Sequence, residues 1–306
     1  MNLVFVADNN YATQFAITLH SVVKSNPNVA INAYLVTCGI SIDRLERIKC
    51  LVEKDGVVLH LCHIYEQRLD WLKPMENGWS RFMFLKLYIP EVLPENIDKA
   101  LYLDVDMIVV ENLSELYGIE LNDYALAAVE DTPDSVLHKR RCGIDADLPY
   151  INSGVMLINM KLWRAVSSQR GFWRFIEERM EEMSINDQDV INTVFQNQIL
   201  TLPLKFNVTN HCYGFRPNVF TYQKLQLSEV YRHPVIIHFT NWNKPWKKEA
   251  AHLFAKKWIS LYKEVNYITG LAIDINYSKG KNLLSLLINK LKLNLWRIYK
   301  LKYRWN

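Results

Sequence analysis

One stretch of the sequence, residues 100–110, limits the fold and the chemistry of this chain more than any other. It reads A-L-Y-L-D-V-D-M-I-V-V, and an apolar run of this kind, rich in Val, Ile, Leu and Tyr, predicts a strand that is buried on both faces. Asp104 and Asp106 interrupt the run with one residue between them. Because an ionised carboxylate is costly to bury without a partner, a sequence rarely places two in a buried strand without a cation to hold them.

The carboxylate pair predicts a cation site if the strand ends or bends near Val105. Residues two apart in an extended strand point to the same face, and open α/β sheets bind ligands at the carboxyl ends of their strands. Carboxylate oxygens suit Mg²⁺ or Mn²⁺ carried on a phosphate group. D-x-D alone leaves a second interpretation open, in which two solvated aspartates simply end the strand.

The N-terminal part of the chain alternates between strand and helix patterns. Apolar runs at residues 2–7, 31–37 and 57–62 are separated by segments with helical spacing at residues 12–25 and 41–54. This alternation predicts an α/β fold built on a parallel sheet. Neither G-x-G-x-x-G nor G-x-x-x-x-G-K-[ST] occurs, which disfavours a dinucleotide-binding or P-loop protein.

The middle of the chain continues the pattern. Residues 81–88 predict a helix that ends before Ile89-Pro90, and an apolar run at residues 124–129 ends in two carboxylates. Residues 132–148 have no clear periodicity, which predicts a loop over the site.

Two groups of polar residues follow. N-S-G at residues 152–154 predicts a small turn before a strand at residues 155–159, and its glycine lets the backbone approach a ligand closely. After an amphipathic helix at residues 172–183, N-D-Q-D at residues 186–189 indicates either the cap of a helix at residues 190–196 or a functional group. The residues alone leave both open.

Polar side chains also stand at the ends of the first and last strands. Asp8 and Tyr11 follow the first strand, where they suit either a base and its ring or a helix cap. A strand at residues 235–239 carries His238, which is either a buried core histidine or a nitrogen ligand for a cation. Lys244 follows it within reach of a phosphate.

The charge of the chain is unevenly distributed. Residues 275–306 contain eight Lys and Arg and no acidic residue, which leaves 28 basic and 32 acidic residues elsewhere. Leucines and aromatic residues interleave with these basic residues, a pattern typical of an amphipathic segment on an anionic membrane surface. The alternative is a basic helix that docks on the body or is solvated.

The remaining composition predicts a cytoplasmic protein, peripheral on the inner face of the cytoplasmic membrane. Five scattered cysteines without a C-x-x-C pair indicate reduced thiols. No basic segment precedes the first strand as in a signal peptide, and no run of about 18 apolar residues predicts a membrane span. In such a compartment the glycosylation sequon at Asn207 carries no weight, and no feature indicates a nucleic-acid partner.

Five blocks of the sequence, taken together and in order, resemble the family 8 glycosyltransferases, a retaining group with a GT-A fold. The blocks are V-F-V-A-D-N-N-Y, L-Y-L-D-V-D-M-I-V, N-S-G-V-M-L-I-N, N-D-Q-D and H-F-T-N-W-N-K-P-W, and they lie between residues 2 and 246. The most similar members are bacterial α-galactosyl- and α-glucosyltransferases that build lipopolysaccharide cores. The resemblance implies an α/β fold, a Rossmann-like mixed sheet flanked by helices, over residues 1–270, followed by a basic membrane-associating tail at residues 271–306.

The resemblance also implies a role for each site residue. Asp104, Asp106 and His238 are the implied ligands of Mn²⁺ or Mg²⁺. Gln188 is implied to lie beside the anomeric carbon, with Asp187 next to it at the donor sugar and acceptor. The implied contacts to a UDP-sugar come from Ala7, Asp8, Asn10, Tyr11, Arg81, Asp104, Val105, Asp131, Asn152 and Lys244.

Two departures from the family pattern bear on specificity. The family often has arginine two residues before the lysine of L-K-L, whereas this chain has Phe84 there and its nearest arginine is Arg81. A glycine often precedes the lysine turn, whereas this chain has Asn241. The first departure bears on the preference for a donor sugar, and the second on how closely the backbone approaches the phosphates.

The predicted reaction is transfer of galactose or glucose from a UDP-sugar to a saccharide, such as a lipopolysaccharide or lipooligosaccharide core, with an α-linkage. We expect front-face attack in which the departing phosphate takes the acceptor proton and the Gln188 amide oxygen stabilises the oxocarbenium-like state. Asp187 is the alternative, as a nucleophile. Two other functions stay open: a non-catalytic nucleotide-sugar-binding protein, and a metal-dependent nucleotidyltransferase, which would require a Gly-rich phosphate loop.

Overall fold

The computed structural model describes residues 1–72, 80–179, 186–213, 217–240, 244–247, 252–273 and 291. Within them the strands are β1 (Asn2–Val6), β2 (Ile31–Thr37), β3 (Val57–His63), β4 (Lys99–Leu103), β5 (Met107–Val109), β6 (Leu126–Glu130), β7 (Ile151–Asn159), β8 (Ile199–Thr201) and β9 (Ile236–His238). The α-helices are α1 (Ala12–Ser25), α2 (Ile42–Val52), α3 (Ile89–Val92), α4 (Ser114–Tyr117), α5 (Val136–Cys142), α6 (Met160–Ser168), α7 (Gly171–Arg179), α8 (Asp187–Val194), α9 (Leu227–Arg232) and α10 (Ala255–Thr269). Short 3-10 helices include Arg81–Tyr88 and Leu204–Phe206.

A seven-stranded mixed sheet organises the chain, in the order β3-β2-β1-β4-β7-β6-β8. The first four of these strands run parallel, but β7 is antiparallel to both β4 and β6. The predicted mixed sheet is therefore confirmed, and the reversal at β7 is what distinguishes it from an all-parallel one. The short strand β8 was not predicted, because three residues at a sheet edge carry no detectable period.

Both faces of the sheet are covered, as the apolar strands predict. On one face Leu3 and Phe5 pack with α1, α2 and α10, whereas Val4 and Tyr102 face α6, α7 and α8 on the other. Successive residues of one strand thus enter different cores, which is the period of two that a doubly covered strand requires.

The apolar run at residues 100–110 is broken, not continuous. β4 ends at Leu103, and β5 begins at Met107 and leaves the large sheet to pair antiparallel with β9, with Met107 opposite His238. The condition on which the predicted cation site depends, a break near Val105, is therefore met. The break places Asp104 and Asp106 between two sheets, directly across from the end of β9.

Two local predictions were wrong. Residues 132–148 contain a 3-10 turn and α5 in place of a loop. N-S-G at residues 152–154 lies inside β7 and not in a turn, because its neighbours on β4 and β6 continue the ladder. The helix predicted at residues 81–88 is confirmed, as the 3-10 helix Arg81–Tyr88, and Pro90 lies in the first turn of α3 that follows, where a missing N–H costs no hydrogen bond.

The C-terminal prediction falls outside the described residues, which after 273 include only residue 291. Before that point α10 packs on α1 and α2, Leu271 is buried, and the carbonyl of Ala272 accepts a hydrogen bond from Thr13. Among the described residues, no helix combines the length and the apolar character needed to cross a bilayer.

Candidate active site

Three side chains of the ligand type converge where β4, β5 and β9 end. One ligand atom from each of Asp104, Asp106 and His238 lies within 4.8 Å of the other two. His238 Nε2 is 3.0 Å from Asp106 Oδ1 and 3.7 Å from Asp104 Oδ2. The break in the apolar run and the register of β5 against β9 create this cluster, so it follows from backbone pairing and not from the sequence spacing alone.

Two lysines neutralise the carboxylates of this cluster from opposite sides. Lys244 contacts Asp106 and donates a hydrogen bond to the carbonyl of Phe239. Burial acts to raise the pKa of Asp106, but the charges of Lys244 and His238 outweigh it, so this pKa is lowered. Asp106 is therefore ionised and available as a ligand.

Lys86 is the second cation, and no pattern in the sequence predicts a role for it. Its ammonium is buried, 2.5 Å from Asp187 and 3.3 Å from Asp104. Burial acts to lower the pKa of Lys86, but the two carboxylates outweigh it and raise the pKa to about 12. The available signal was a single charge inside the otherwise apolar stretch Phe82–Tyr88, since a buried lysine requires a carboxylate partner.

Gly154 provides the space in which the cluster forms. A Cβ at this position would overlap His238 Cε1 and lie 2.9 Å from Asp104 Oδ2. The predicted close approach of this glycine to a ligand stays a prediction, and in the structure the groups that lie against it are the side chains of His238 and Asp104.

The N-D-Q-D group serves as both a cap and a set of site residues. Asn186 and Asp189 form a capping box at the start of α8. Between them, Asp187 accepts a hydrogen bond from Ser153 Oγ at 3.1 Å, while Gln188 accepts from Ser153 N–H at 3.1 Å and donates to Asp131 Oδ2 at 2.8 Å. The outer pair of this group therefore caps α8, as one interpretation predicts, and the inner pair faces Ser153 and Asp131.

Asp189 is fully buried and has partners of its own, apart from the cation-type cluster. Its carboxylate accepts hydrogen bonds from Tyr150 at 2.6 Å and from Arg141 at 2.8 Å, and His138 Nδ1, to which Arg141 also donates, lies 3.2 Å away. Burial acts to raise the pKa of Asp189, but these partners outweigh it and the pKa is lowered. Two of the partners belong to α5, so this carboxylate fixes the segment that the sequence predicted as a loop.

The turn after β1 approaches the cluster from the other side. Asp8 accepts hydrogen bonds from the backbone N–H groups of Asn10 and Tyr11, both at 3.0 Å, so it does cap the turn, and Ala7 before it is buried. The Tyr11 ring packs edge-on against Trp246, with centroids 6.4 Å apart. Burial raises the pKa of Tyr11, and the charges of Lys244 and Asp106 also act on it.

Two further predicted site residues, Val105 and Arg81, have partners within the protein. Val105 is buried and its carbonyl accepts a hydrogen bond from Thr18 on α1, which fixes the break. Arg81 forms ion pairs with Glu66 at 2.9 Å and with Asp70 at 3.0 Å. The structure therefore gives Arg81 acidic protein partners, and Phe84, two residues before Lys86, is packed in the core.

A cleft of about 270 Å³, open mouth included, adjoins the cluster. Asp131 and Asn152 line it, together with Asn207, Thr209 and Gln223. Polar side chains and a few apolar ones thus surround a space next to Gln188, which donates to Asp131. Asn207 connects the two regions, because it lines the cleft and lies 3.0 Å from His238 Nδ1 in the cluster.

Comparisons with known proteins agree with this geometry. A family model described as glycosyl transferase family 8 matches residues 2–250. The general stress protein A of Bacillus subtilis (strain 168) is 26% identical over 262 residues, which are 82% of this chain and 89% of that protein. The lipopolysaccharide 1,2-glucosyltransferase of Escherichia coli (strain K12) is 25% identical over 259 residues, 82% of this chain and 74% of that enzyme.

Among solved structures, the galactosyltransferase LgtC in complex with donor and acceptor sugar analogs superimposes with a TM-score of 0.76. It is 24% identical in sequence, and the match covers 86% of this chain and 96% of that one. At this identity the likeness establishes the fold, and it confirms the GT-A architecture expected from the sequence.

Proposed function

The chain belongs to glycosyl transferase family 8, and from this premise we propose that it transfers galactose or glucose from a UDP-sugar to a saccharide acceptor and forms an α-linkage. The observation that carries the proposal is the cluster of Asp104, Asp106 and His238, with their ligand atoms within 4.8 Å of one another and Lys244 in contact with Asp106. A divalent cation and a phosphate are the charges that this arrangement complements.

The donor set fits Mn²⁺ or Mg²⁺. Two carboxylate oxygens are hard ligands and one imidazole nitrogen is tolerated well by Mn²⁺, and Gly154 keeps clear the space that a Cβ would fill. When bound, such a cation acts as a Lewis acid that takes up the charge of a leaving diphosphate. Asp104, Asp106 and His238 are the residues proposed to hold it.

The remaining contacts to the donor are proposed on both sides of that cluster. Lys244 supplies a positive charge to the diphosphate, which lowers the free energy of the departing group. Tyr11 and the Asp8–Asn10 turn face the same end of the sheet and are proposed to bind the nucleoside, with Ala7 and Val105 as backbone neighbours. Asp131 and Asn152, in the cleft, are proposed to bind the donor sugar, and Arg81 stays a candidate for it.

The transfer step is proposed to retain configuration by front-face attack. The acceptor oxygen bonds to the anomeric carbon on the face from which the diphosphate leaves, and the departing phosphate oxygen takes the acceptor proton. Gln188 Oε1 accepts one hydrogen bond from Ser153 and keeps a second lone pair for the oxocarbenium-like state. Asp187 is the weaker nucleophile candidate, because Lys86 and Ser153 already engage its carboxylate.

The acceptor is proposed to be a lipopolysaccharide or lipooligosaccharide core. Support comes from the enzyme named a lipopolysaccharide 1,2-glucosyltransferase, at 25% identity, and from the basic, leucine-rich residues 275–306. We propose that this tail holds the chain on the inner face of the cytoplasmic membrane, where a glycolipid acceptor is presented. A chain truncated after Gly280 should lose its binding to anionic phosphatidylglycerol vesicles, and unchanged binding would contradict the assignment.

Turnover on a panel of UDP-sugars tests the proposal. With Mn²⁺ present, we expect UDP release from UDP-galactose or UDP-glucose, and its loss in Asp106→Ala. Asp123→Ala, an exposed aspartate in the turn before β6, is the matched control and should retain turnover. A folded chain that binds no UDP would contradict the proposal, whereas UDP binding without turnover on any acceptor would favour a non-catalytic binding protein.

Product analysis tests the stereochemistry separately. With a core oligosaccharide as acceptor, we expect an α-linked hexose in the one-bond carbon–proton coupling of the new anomeric position. A β-linked product would contradict retention while leaving the donor assignment in place.

A further inference from the structure

Asn207 lies behind His238 and has no role in the function described so far. It follows the 3-10 helix Leu204–Phe206 and its side chain is buried, with 1% of the residue exposed. The sequence marked it only as part of a glycosylation sequon, which a side chain buried to this extent cannot serve in the folded protein. Its two amide atoms instead bridge His238 and Asn152.

The direction of these hydrogen bonds can be assigned from one unambiguous donor. The backbone N–H of Gly154 donates to a side-chain atom of Asn152 at 3.1 Å, so that atom is the amide oxygen. Asn207 bonds to the same oxygen at 2.8 Å and must do so through its nitrogen. The remaining atom of the Asn207 amide, its oxygen, therefore faces His238 Nδ1 at 3.0 Å.

An amide oxygen can only accept a hydrogen bond, so His238 Nδ1 must carry a proton. The other ring nitrogen, Nε2, is the one that faces the carboxylates of Asp106, at 3.0 Å, and Asp104, at 3.7 Å. With the proton placed on Nδ1, the Nε2 lone pair is the one offered to a cation between these side chains. The backbone N–H of Gly154 thus fixes the orientation of the Asn152 amide, which fixes that of Asn207, which in turn fixes the proton position on the His238 ring.

We propose that Asn207 is a positioning residue that keeps a proton on His238 Nδ1 and so reserves Nε2 as the ring nitrogen that binds a cation held with Asp104 and Asp106. The inference extends the proposed function, on which its consequence for cation binding rests. Asn207 touches neither cation nor sugar in this scheme. It acts through the tautomer and the orientation of the imidazole ring, which would otherwise have Asp106 as its nearest partner.

Two substitutions at this position separate the proposed role from a merely structural one. Asn207→Asp keeps an acceptor for Nδ1–H and removes the donor to Asn152. Asn207→Leu has a similar volume and removes both. If Asn207 served only to hold Asn152, both variants would lose affinity for Mn²⁺ to the same extent. If it fixes the tautomer, only the leucine variant should lose the proton on His238 Nδ1 and the affinity for Mn²⁺. Thermal unfolding of both variants identifies any that fails to fold.

The first measurement is the nitrogen-15 spectrum of the histidine rings in the cation-free protein at pH 9, with His238 assigned by the signal missing in His238→Gln. We expect a protonated Nδ1 in the parent and in Asn207→Asp, and an unprotonated Nδ1 in Asn207→Leu. An unprotonated Nδ1 in the parent, or a protonated one in a folded Asn207→Leu, would overturn the proposal. This result does not depend on whether the chain binds a cation.

The second measurement is the affinity for Mn²⁺, read from the electron paramagnetic resonance signal of the free ion in the presence of UDP. We expect Asn207→Leu to bind about 10- to 100-fold more weakly, as for the loss of other partners of metal-ligating histidines, and Asn207→Asp to stay close to the parent. Equal weakening in both variants would overturn the proposal. A parent that binds no Mn²⁺ but shows the expected ring spectra would contradict the proposed function and leave the tautomer assignment in place.

Discussion

Asp189 and the pair formed by Asp104 and Asp106 differ in how the protein compensates their negative charge. Asp189, the closed group, is fully buried, and its oxygens accept hydrogen bonds from Tyr150, Arg141, Cys142 and the backbone of Asn186. Asp104 and Asp106, the open group, retain 27% and 17% side-chain exposure. The closed group is satisfied within the protein, and the open group remains accessible from outside.

The comparison separates a carboxylate that stabilises the fold, Asp189, from two that remain accessible to a ligand, Asp104 and Asp106. The hydrogen-bond donors to Asp189 connect α5 to the first turn of α8. Asp187 and Gln188 belong to that same turn. Asp104 and Asp106 instead stand side by side with Asp187 nearby, three like charges held by two lysines and a histidine. Such a concentration of like charge is stable only with cations close by.

The largest expected effect is on turnover, at the open group. Asp106→Asn removes a ligand charge while keeping the side-chain shape, and we expect UDP-sugar turnover to fall about 10³-fold, since a cation contributes several kcal/mol to the leaving group. The free energy of unfolding should change by only about 1 kcal/mol, because removing one of three neighbouring negative charges offsets the weaker contact to Lys244, whose side chain is 16% exposed. Urea unfolding next to the turnover assay checks both, and a loss of stability that matches the loss of turnover would contradict the comparison.

The closed group should show the reverse. Asp189→Ala leaves Arg141 and Tyr150 without their carboxylate, and we expect the free energy of unfolding to fall by about 3 to 5 kcal/mol, as for other broken buried ion pairs. Urea unfolding measures it. Binding of Mn²⁺ by the folded fraction at low temperature should be retained, and a variant as stable as the parent but unable to bind the ion would reverse the roles assigned to the two groups.

A smaller effect is expected from the backbone of the open group. Gly154→Ala places a methyl group against His238 Cε1 and Asp104 Oδ2, so we expect the affinity for Mn²⁺ to fall about tenfold, in the range seen when a ligand's support is disturbed. Gly39→Ala is the matched control, because a Cβ there meets no atom within 4 Å. Equal affinities in the two variants would show that the cluster does not depend on this glycine.

The smallest effect is the part of the pH dependence of stability that the closed group contributes. The pKa of Asp189 is lowered in the folded chain, so near the ordinary aspartate pKa of about 3.9 the unfolded chain binds more protons. The stability that Asp189 supplies is therefore complete above about pH 4 and is lost as the pH falls through the lowered pKa. Unfolding measured between pH 5 and pH 3 should be less pH-dependent in Asp189→Asn, and identical slopes would contradict the assignment.

The sequence predicts the sheet better than the site, and particular residues show why. Buried strands such as β1 and β2 can be predicted from their apolar runs. The break near Val105 is consistent with two carboxylates that are costly to bury in a strand. The antiparallel direction of β7 depends on pairing with β4 and β6, which are distant in sequence. A local pattern of apolar residues does not indicate that direction. For the same reason N-S-G was predicted as a turn.

Candidate site residues that lie in recognisable blocks were predicted from the sequence, and their partners were not. Asp104, Asp106 and His238 were grouped from the family resemblance, and the structure brings them together. Lys86 and Asn207 were not assigned roles, because their importance comes from what they touch across the fold. The segment around α5 was predicted as a loop, since its anchor is a carboxylate 47 to 51 residues away in sequence.

The central claim is that the open group binds a cation with its nucleotide and the closed group does not. Crystals of the chain grown with Mn²⁺ and UDP, measured near the manganese absorption edge, test it most directly through the anomalous difference map. We predict one peak bounded by Asp104, Asp106 and His238, with the UDP diphosphate beside it, and none at Asp189. Bound UDP without a peak at those three side chains, or a peak at Asp189, would contradict the account.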